Sequence, residues 1–410
     1  MSDAELARLF LSLAVLLSAG LLGGHLFEAL RLPRVIGEIC GGLLLGPSVF
    51  GRLLPEEAQA LFAGFASQPA ILAAFYWLGL VLLMFTAGFN IRSRLDPADA
   101  RLAVSLVVGG LALPGLLGWL MAAGFPAAAG ANPLAFSIVI AIGTAVTSLP
   151  VISRIFIDLG LMQSRFARVV LSAAMIQDLI LWAALSVALT LQQGGTVHPL
   201  DLGWKIVLSV GFSAVALLVV PSLLRYVGSR TVRKFTEASL TGYTLLVCLV
   251  LVVLAGLLGV NLLFGALLAG VVIGRFTAEN FEPVKRRIQV VAIWFFVPIY
   301  FVQVGQQIDL PAQFDLSMIV TFLLISSAVK IGSVLLLARY GGASWLRSFD
   351  YGMAMNTRGG PGIVLASVAL AAGIIPGSMF LTLVAASILT SLVTSMWFRW
   401  RMQHDMSLAV

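Results

Sequence analysis

A chain of 410 residues in which 60% are hydrophobic and only 10% charged has too little charge to coat a water-soluble surface, since soluble chains carry about 25% charged residues. A mean hydropathy of +1.04 excludes a soluble enzyme, a nucleic-acid-binding domain and a disordered chain, and leaves an all-α polytopic membrane protein. The net charge of +7 fits the Lys and Arg that gather in cytoplasmic loops and needs no nucleic-acid partner.

The N-terminal Ser2, Asp3, Ala4 and Glu5 contain no basic run, so the first apolar stretch reads as a retained helix and not a cleaved signal. A span needs roughly 20 apolar residues. Such stretches fall near 8–30, 35–53, 69–90, 102–123, 133–157, 166–191, 203–224, 238–259, 261–275, 289–306, 316–338, 349–372 and 377–398, predicting thirteen transmembrane helices. The ninth is short, and the second, fifth and twelfth carry Gly or Pro inside the apolar run. Cys40 and Cys248 read as core filler, and His25, His198 and His404 have no ligand spacing. With the N-terminus outside and the loops alternating, twenty of the 25 basic residues face inward, among them Arg31, Arg34, Arg92, Arg94, Arg154, Arg225, Arg230, Arg233 and Lys234. Arg8, Arg52 and Lys205 face outward, and Lys330 and Arg358 lie inside apolar stretches. This asymmetry predicts an N-out, C-in topology.

The two halves echo each other. Gly37, Gly42 and Gly46 of the second span share their spacing with Gly265, Gly270 and Gly274 of the ninth. TAGFNI of the third and QVGQQI of the tenth align Gly88 with Gly305, and TSLPV of the fifth and RGGPG of the twelfth align Pro150 with Pro361. Each pair lies seven helices apart, and an odd offset turns the second copy upside down, as in the inverted repeats of secondary transporters.

Ionisable groups at mid-membrane are costly and mark functional sites by default. Asp178 lies about 12 residues into its span and Lys330 about 14 into its own, which puts both near the bilayer centre at ~1.5 Å rise per residue. Two readings are open for them, a static buried ion pair or a working site. Glu28 and Glu38 read as charges at the inner interface. Arg358 either neutralises broken-helix carbonyl ends or touches the substrate. The fifth span holds Gly143, Thr144, Thr147, Ser148 and Pro150, and the twelfth holds Asn356, Gly359, Gly360, Pro361 and Gly362. Both are expected to break there, exposing half-helix ends whose freed carbonyls bind a small cation. A carboxylate, hydroxyls and carbonyls make a hard-oxygen site for an alkali cation and not for a soft metal. If H⁺ and the cation bind Asp178 in mutually exclusive fashion, that alone is enough for antiport.

These residues resemble the monovalent cation:proton antiporter-2 family, which includes Kef-type potassium/proton and Nha-like sodium/proton antiporters. The resemblance runs from about Leu32 to Arg399. It rests on LPRVIGEICGGLLLGPSVFG, TSLPVISRIFIDLGL followed by IQD, FFVPIYFVQVG, and the Lys330 helix leading into NTRGGPGIV. It implies the sodium/proton antiporter-like fold with two crossing broken helices, working as an elevator-type homodimer in membrane lipid. A dimer subdomain would take about 8–90 and 238–306, a moving core about 102–191 and 316–398, and a linker helix about 203–224. Asp178 would bind the ion and the proton beside Thr147 and Ser148, with Lys330 as its partner. Gln177 before Asp178 looks Kef-like, favouring electroneutral exchange of K⁺, with Na⁺ the other candidate and no cofactor.

Two departures stand out. The family often reads G-L-E-x-D after the third span, where this chain has Gly88, Phe89, Asn90, Ile91 and Arg92. It often reads R-G-E after the twelfth break, where Gly360 replaces the Glu. Kef-type proteins also carry a cytoplasmic nucleotide-binding domain. This chain ends at Val410, about a dozen residues past its last helix, so such gating is expected only from a separate regulatory subunit or a missing C-terminus. A bacterial inner membrane is the expected location. A ligand-gated cation channel or an efflux protein on the same scaffold is the alternative reading.

Overall fold

The computed structural model describes residues 1–30, 34–89, 97–193, 207–208, 211–223, 237–260, 262–275 and 281–404, with Pro97, Ala98, Pro150, Arg154, Ile157, Asp158, Gln193, Glu237 and Ala238 described by their backbone alone. Outside these residues lie Arg31, Arg92, Arg94, Lys205, Arg225, Arg230, Arg233 and Lys234 of the charge asymmetry, His198, and the departure at Asn90, Ile91 and Arg92.

Every described element is helical, as apolar surroundings require when no water can satisfy backbone groups. Among the described residues, nine helices are long and apolar enough to cross a membrane, running from Asp3–Ala29 to Gly377–His404. Pro133–Ala145, Gly211–Leu223 and Leu262–Gly274 are shorter apolar helices. Side chains set several starts. Ser2 and Glu5 form a reciprocal cap on Asp3–Ala29, Asn132 caps Pro133–Ala145, and Asp315 caps Leu316–Tyr340. Both cysteines are free thiols.

The chain divides into two compact units, Met1–Arg92 with Gly203–Ala312, and Ser93–Leu202 with Gln313–Val410. In the first, Arg34–Leu45 packs on Asp3–Ala29 and on Val297–Gln306, and Gln68–Phe89 packs on Leu262–Gly274. All three seams are backbone against backbone, the first through Gly23 and Gly37, where a Cβ on either would overlap the carbonyl oxygen of the other. In the second a Cβ on Gly42 would overlap the Val302 carbonyl oxygen, and one on Gly305 would overlap that of Ile39. In the third a Cβ on Gly270 would overlap the Phe85 oxygen, and one on Gly88 would sit 2.5 Å from that of Leu267. Such approach replaces the hydrophobic drive that lipid removes between helices. Gly42→Ala is therefore expected to cost about 2 kcal/mol, read as a lower melting temperature in detergent.

Glu38 faces Arg34, one turn earlier on its helix. It is buried and ion-paired to Arg34 at 2.9 Å, and the Arg34 guanidinium lies 4.1 Å from the Trp294 ring centre. Glu28, by contrast, is exposed.

In the second unit Pro97–Met121 packs on Leu316–Tyr340, Pro133–Ala145 and Arg165–Gln193. An aromatic cluster of Phe156, Phe166, Tyr351 and Phe398 fills one end. The fully buried Asp350 accepts from Trp397 Nε1 at 3.0 Å and lies 3.4 Å from Arg401 Nε. The fifth and twelfth predicted spans are each interrupted. Pro133–Ala145 stops and Leu149–Asp158 begins, and Trp345–Met355 stops before Gly360–Ala371.

Candidate functional site

Pro150 and Pro361 are each the second residue of the half-helix that follows an interruption. In a first turn the missing N–H has no partner to lose, so these prolines start helices as well as ending the preceding run. The two interruptions lie against each other. Ser148 N donates to Thr357 O at 2.6 Å, and Thr147 Oγ1 to Met355 O at 2.7 Å. A Cβ on Gly359 would sit 2.5 Å from Val151 Cγ2 and 2.7 Å from Ser148 Oγ, so a larger residue there would have to displace those side chains. Ser148 Oγ accepts from Val151 N at 3.4 Å and caps the second half-helix.

The first half-helix ends with the buried carbonyls of Thr144, Ala145 and Val146 and with the negative pole of its dipole. Lys330, fully buried on Leu316–Tyr340, answers them. Its Nζ donates to Ala145 O at 2.5 Å, Val146 O at 2.6 Å and Thr147 Oγ1 at 2.8 Å. Three acceptors match the three N–H bonds of an ammonium. Arg358 Nη2 reaches Thr144 O at 3.3 Å, with its guanidinium 5.5 Å from the Phe322 ring centre. Arg358 Nη2 thereby lies at a carbonyl in the last turn of Pro133–Ala145.

Gln177 is fully buried and its amide is spoken for on both sides. Nε2 donates to Leu106 O at 3.1 Å and Val107 O at 3.3 Å, while Oε1 accepts from Thr147 Oγ1 at 2.8 Å. Gly110 leaves space for that amide. The Thr147 hydroxyl faces two acceptors with one hydrogen and accepts from Lys330 on its free side.

Asp178 follows Gln177 on Arg165–Gln193 and is 8% exposed. Among the described residues its carboxylate has no hydrogen-bond partner and no ion pair. Lys330 is within electrostatic reach of it, but the static ion pair is not formed. Asn356 Oδ1 and Thr357 Oγ1 are buried without partners, as are Nε and Nη1 of Arg358. The described residues contain no cluster of three or more His, Cys, Asp or Glu for a metal ion.

The structure thus ties Thr147, Gln177 and Lys330 into one network, Ser148 and Gly359 into a close contact, and leaves Asp178 and Asn356 outside both. Thr357, Thr390 and Ser391 were not readable as members of the site. The signal available for the last two is a run of hydroxyls at 382, 387, 390, 391 and 394 in the final span.

The family profile described as "Sodium/hydrogen exchanger, transmembrane" matches residues 13–404. The chain belongs to the sodium/hydrogen exchanger family. Within the sodium/hydrogen exchanger family it is similar to the high-affinity Na⁺/H⁺ antiporter NhaS3 of Synechocystis, 27% identical over 96% of this chain and 90% of that one. It is 28% identical to K⁺/H⁺ antiporter 1 of Saccharomyces cerevisiae, covering 90% of this chain and 43% of the relative. The chain spans less than half the length of the yeast and several plant relatives it matches. These relatives are ion antiporters and not enzymes. The sodium proton antiporter MjNhaP1 of Methanocaldococcus jannaschii shares the fold, with a TM-score of 0.65, 16% identity, and coverage of 99% of this chain and 98% of that one.

Proposed function

We propose that this sodium/hydrogen exchanger family member is a secondary active transporter that exchanges a monovalent cation for H⁺, favouring K⁺ with Na⁺ also possible. The observation that carries this reading is the Asp178 carboxylate, buried and without a partner among the described residues, one residue from the amide that Thr147 of the first interruption holds. A lone buried carboxylate is stable when it holds a proton or a cation, and each excludes the other. Thr147, Ser148 and Asn356, in the chain's two interruptions, are the further oxygens we assign to the cation. Lys330 and Arg358 offset the half-helix end, so the cation's charge falls to Asp178.

The Gln177–Asp178 pair favours a Kef-like branch of the cation:proton antiporter-2 family and electroneutral exchange. Thirteen spans in an inverted repeat are the architecture we favour, and the contacts support it. Aligning Pro150 with Pro361 carries Thr147 onto Arg358 and Met355 onto Thr144. The bond from Thr147 to Met355 O thus becomes the bond from Arg358 to Thr144 O. The glycine alignment likewise carries the Gly42 and Gly305 seam onto Gly270 and Gly88. On this reading the unit bearing Asp178 is the moving core of an elevator, the other forms a homodimer, and both sit N-out, C-in in a bacterial inner membrane, serving pH homeostasis.

The test uses inside-out vesicles with a pH dye. Adding K⁺ or Na⁺ is expected to collapse the proton gradient. Steady current in planar bilayers far above transporter turnover, without proton coupling, would replace the antiporter with a channel.

A further inference from the structure

The peptide of Arg358 lies in an interruption at membrane depth, where each backbone group must find a protein partner. Its N–H donates to Thr390 Oγ1 at 3.2 Å, and its C=O accepts from Ser391 Oγ. Both partners come from Gly377–His404: Thr390 accepts from Arg358 and passes its own hydrogen to Ala386 O at 2.8 Å, while the single Ser391 hydrogen is shared between Arg358 O and Ser387 O, the latter at 2.7 Å. One residue earlier, Thr357 O is held by Ser148 N. Thr394 Oγ1 reaches Met353 O at 3.2 Å, and a Cβ on Gly362 would come within 2.9 Å of Ser387 Oγ. The final helix therefore grips the second interruption along its length.

The Arg358 side chain has little hold of its own. One 3.3 Å bond and a ring contact restrain it, while Nε and Nη1 have no partner. Its aim is therefore set by the main chain it leaves from. We propose that Thr390 and Ser391 are positioning residues that fix the Arg358 peptide, and through it the placement of the guanidinium on the end of Pro133–Ala145. This rests on the antiport reading only for its consequence on transport.

The experiment measures hydrogen–deuterium exchange of the peptide containing Arg358 alongside cation-dependent exchange kinetics, in wild type, Thr390→Val, Ser391→Ala and Thr390→Ser. Thr390→Val is expected to speed exchange at that peptide about tenfold, leaving peptides elsewhere in 377–404 unchanged. The apparent KM for the cation should rise about tenfold with little change in turnover, Ser391→Ala should shift in the same direction, and Thr390→Ser should restore wild-type values. Unaltered deuterium uptake overturns the proposal, as does faster uptake with an unchanged KM, or a Thr390→Ser protein that fails like Thr390→Val with a general loss of melting temperature. If wild type dissipates no proton gradient, the antiport reading fails, and deuterium uptake still decides whether the clamp exists.

Discussion

Asp178→Asn protein is expected to fold and to lose cation-dependent proton exchange by about a hundredfold or more, equivalent to about 2.7 kcal/mol in the barrier. Asparagine keeps the shape of the side chain but can neither take up a proton nor carry the charge that draws a cation. Because Asp178 makes no hydrogen bond or ion pair among the described residues, the change removes no contact, and the melting temperature should stay level or rise as a buried charge disappears. Vesicle exchange and thermal unfolding on one preparation check both halves. A variant that exchanges like wild type would move the ion site elsewhere.

Lys330→Met should behave in the opposite way, with a loss of stability of about 3 kcal/mol. Methionine fills much of the volume but leaves Ala145 O, Val146 O and Thr147 Oγ1 without their donor. The end of a half-helix is then stranded with its dipole uncompensated. The expected readouts are a lower melting temperature in detergent and reduced exchange, with partial recovery of the melting temperature when ammonium ions are added. A variant as stable as wild type would mean that Arg358 alone suffices at that end.

The long spans are legible in the sequence because a bilayer permits little else for an apolar stretch of that length. The interruptions are legible too, since Pro150 and the Gly359, Gly360, Pro361 run mark where a helix cannot continue. The direction of Lys330 is not. Depth alone sets it level with Asp178, while the length of its side chain lets Nζ reach carbonyls on another helix. Gln177 is read through its neighbour Asp178, yet its amide spans between Thr147 and the Pro97–Met121 helix, an arrangement that depends on Gly110 in a different span. Thr390 and Ser391 are hidden for a different reason. Hydroxyls in apolar helices routinely bond back to their own turn, so nothing in the sequence separates those that also reach outward.

The glycine seams of the first unit confine its tolerance for change to an unusual place. Where main chain meets main chain there is no side chain to resize, so a repair by a second mutation has nothing to work on, and each lost hydrogen atom must be restored at the position where it was lost. The rest of those helices faces no such demand and is free to drift among apolar residues. Distant sequences can therefore share this frame while matching at few positions, provided Gly23, Gly37, Gly42, Gly88, Gly270 and Gly305 stay bare.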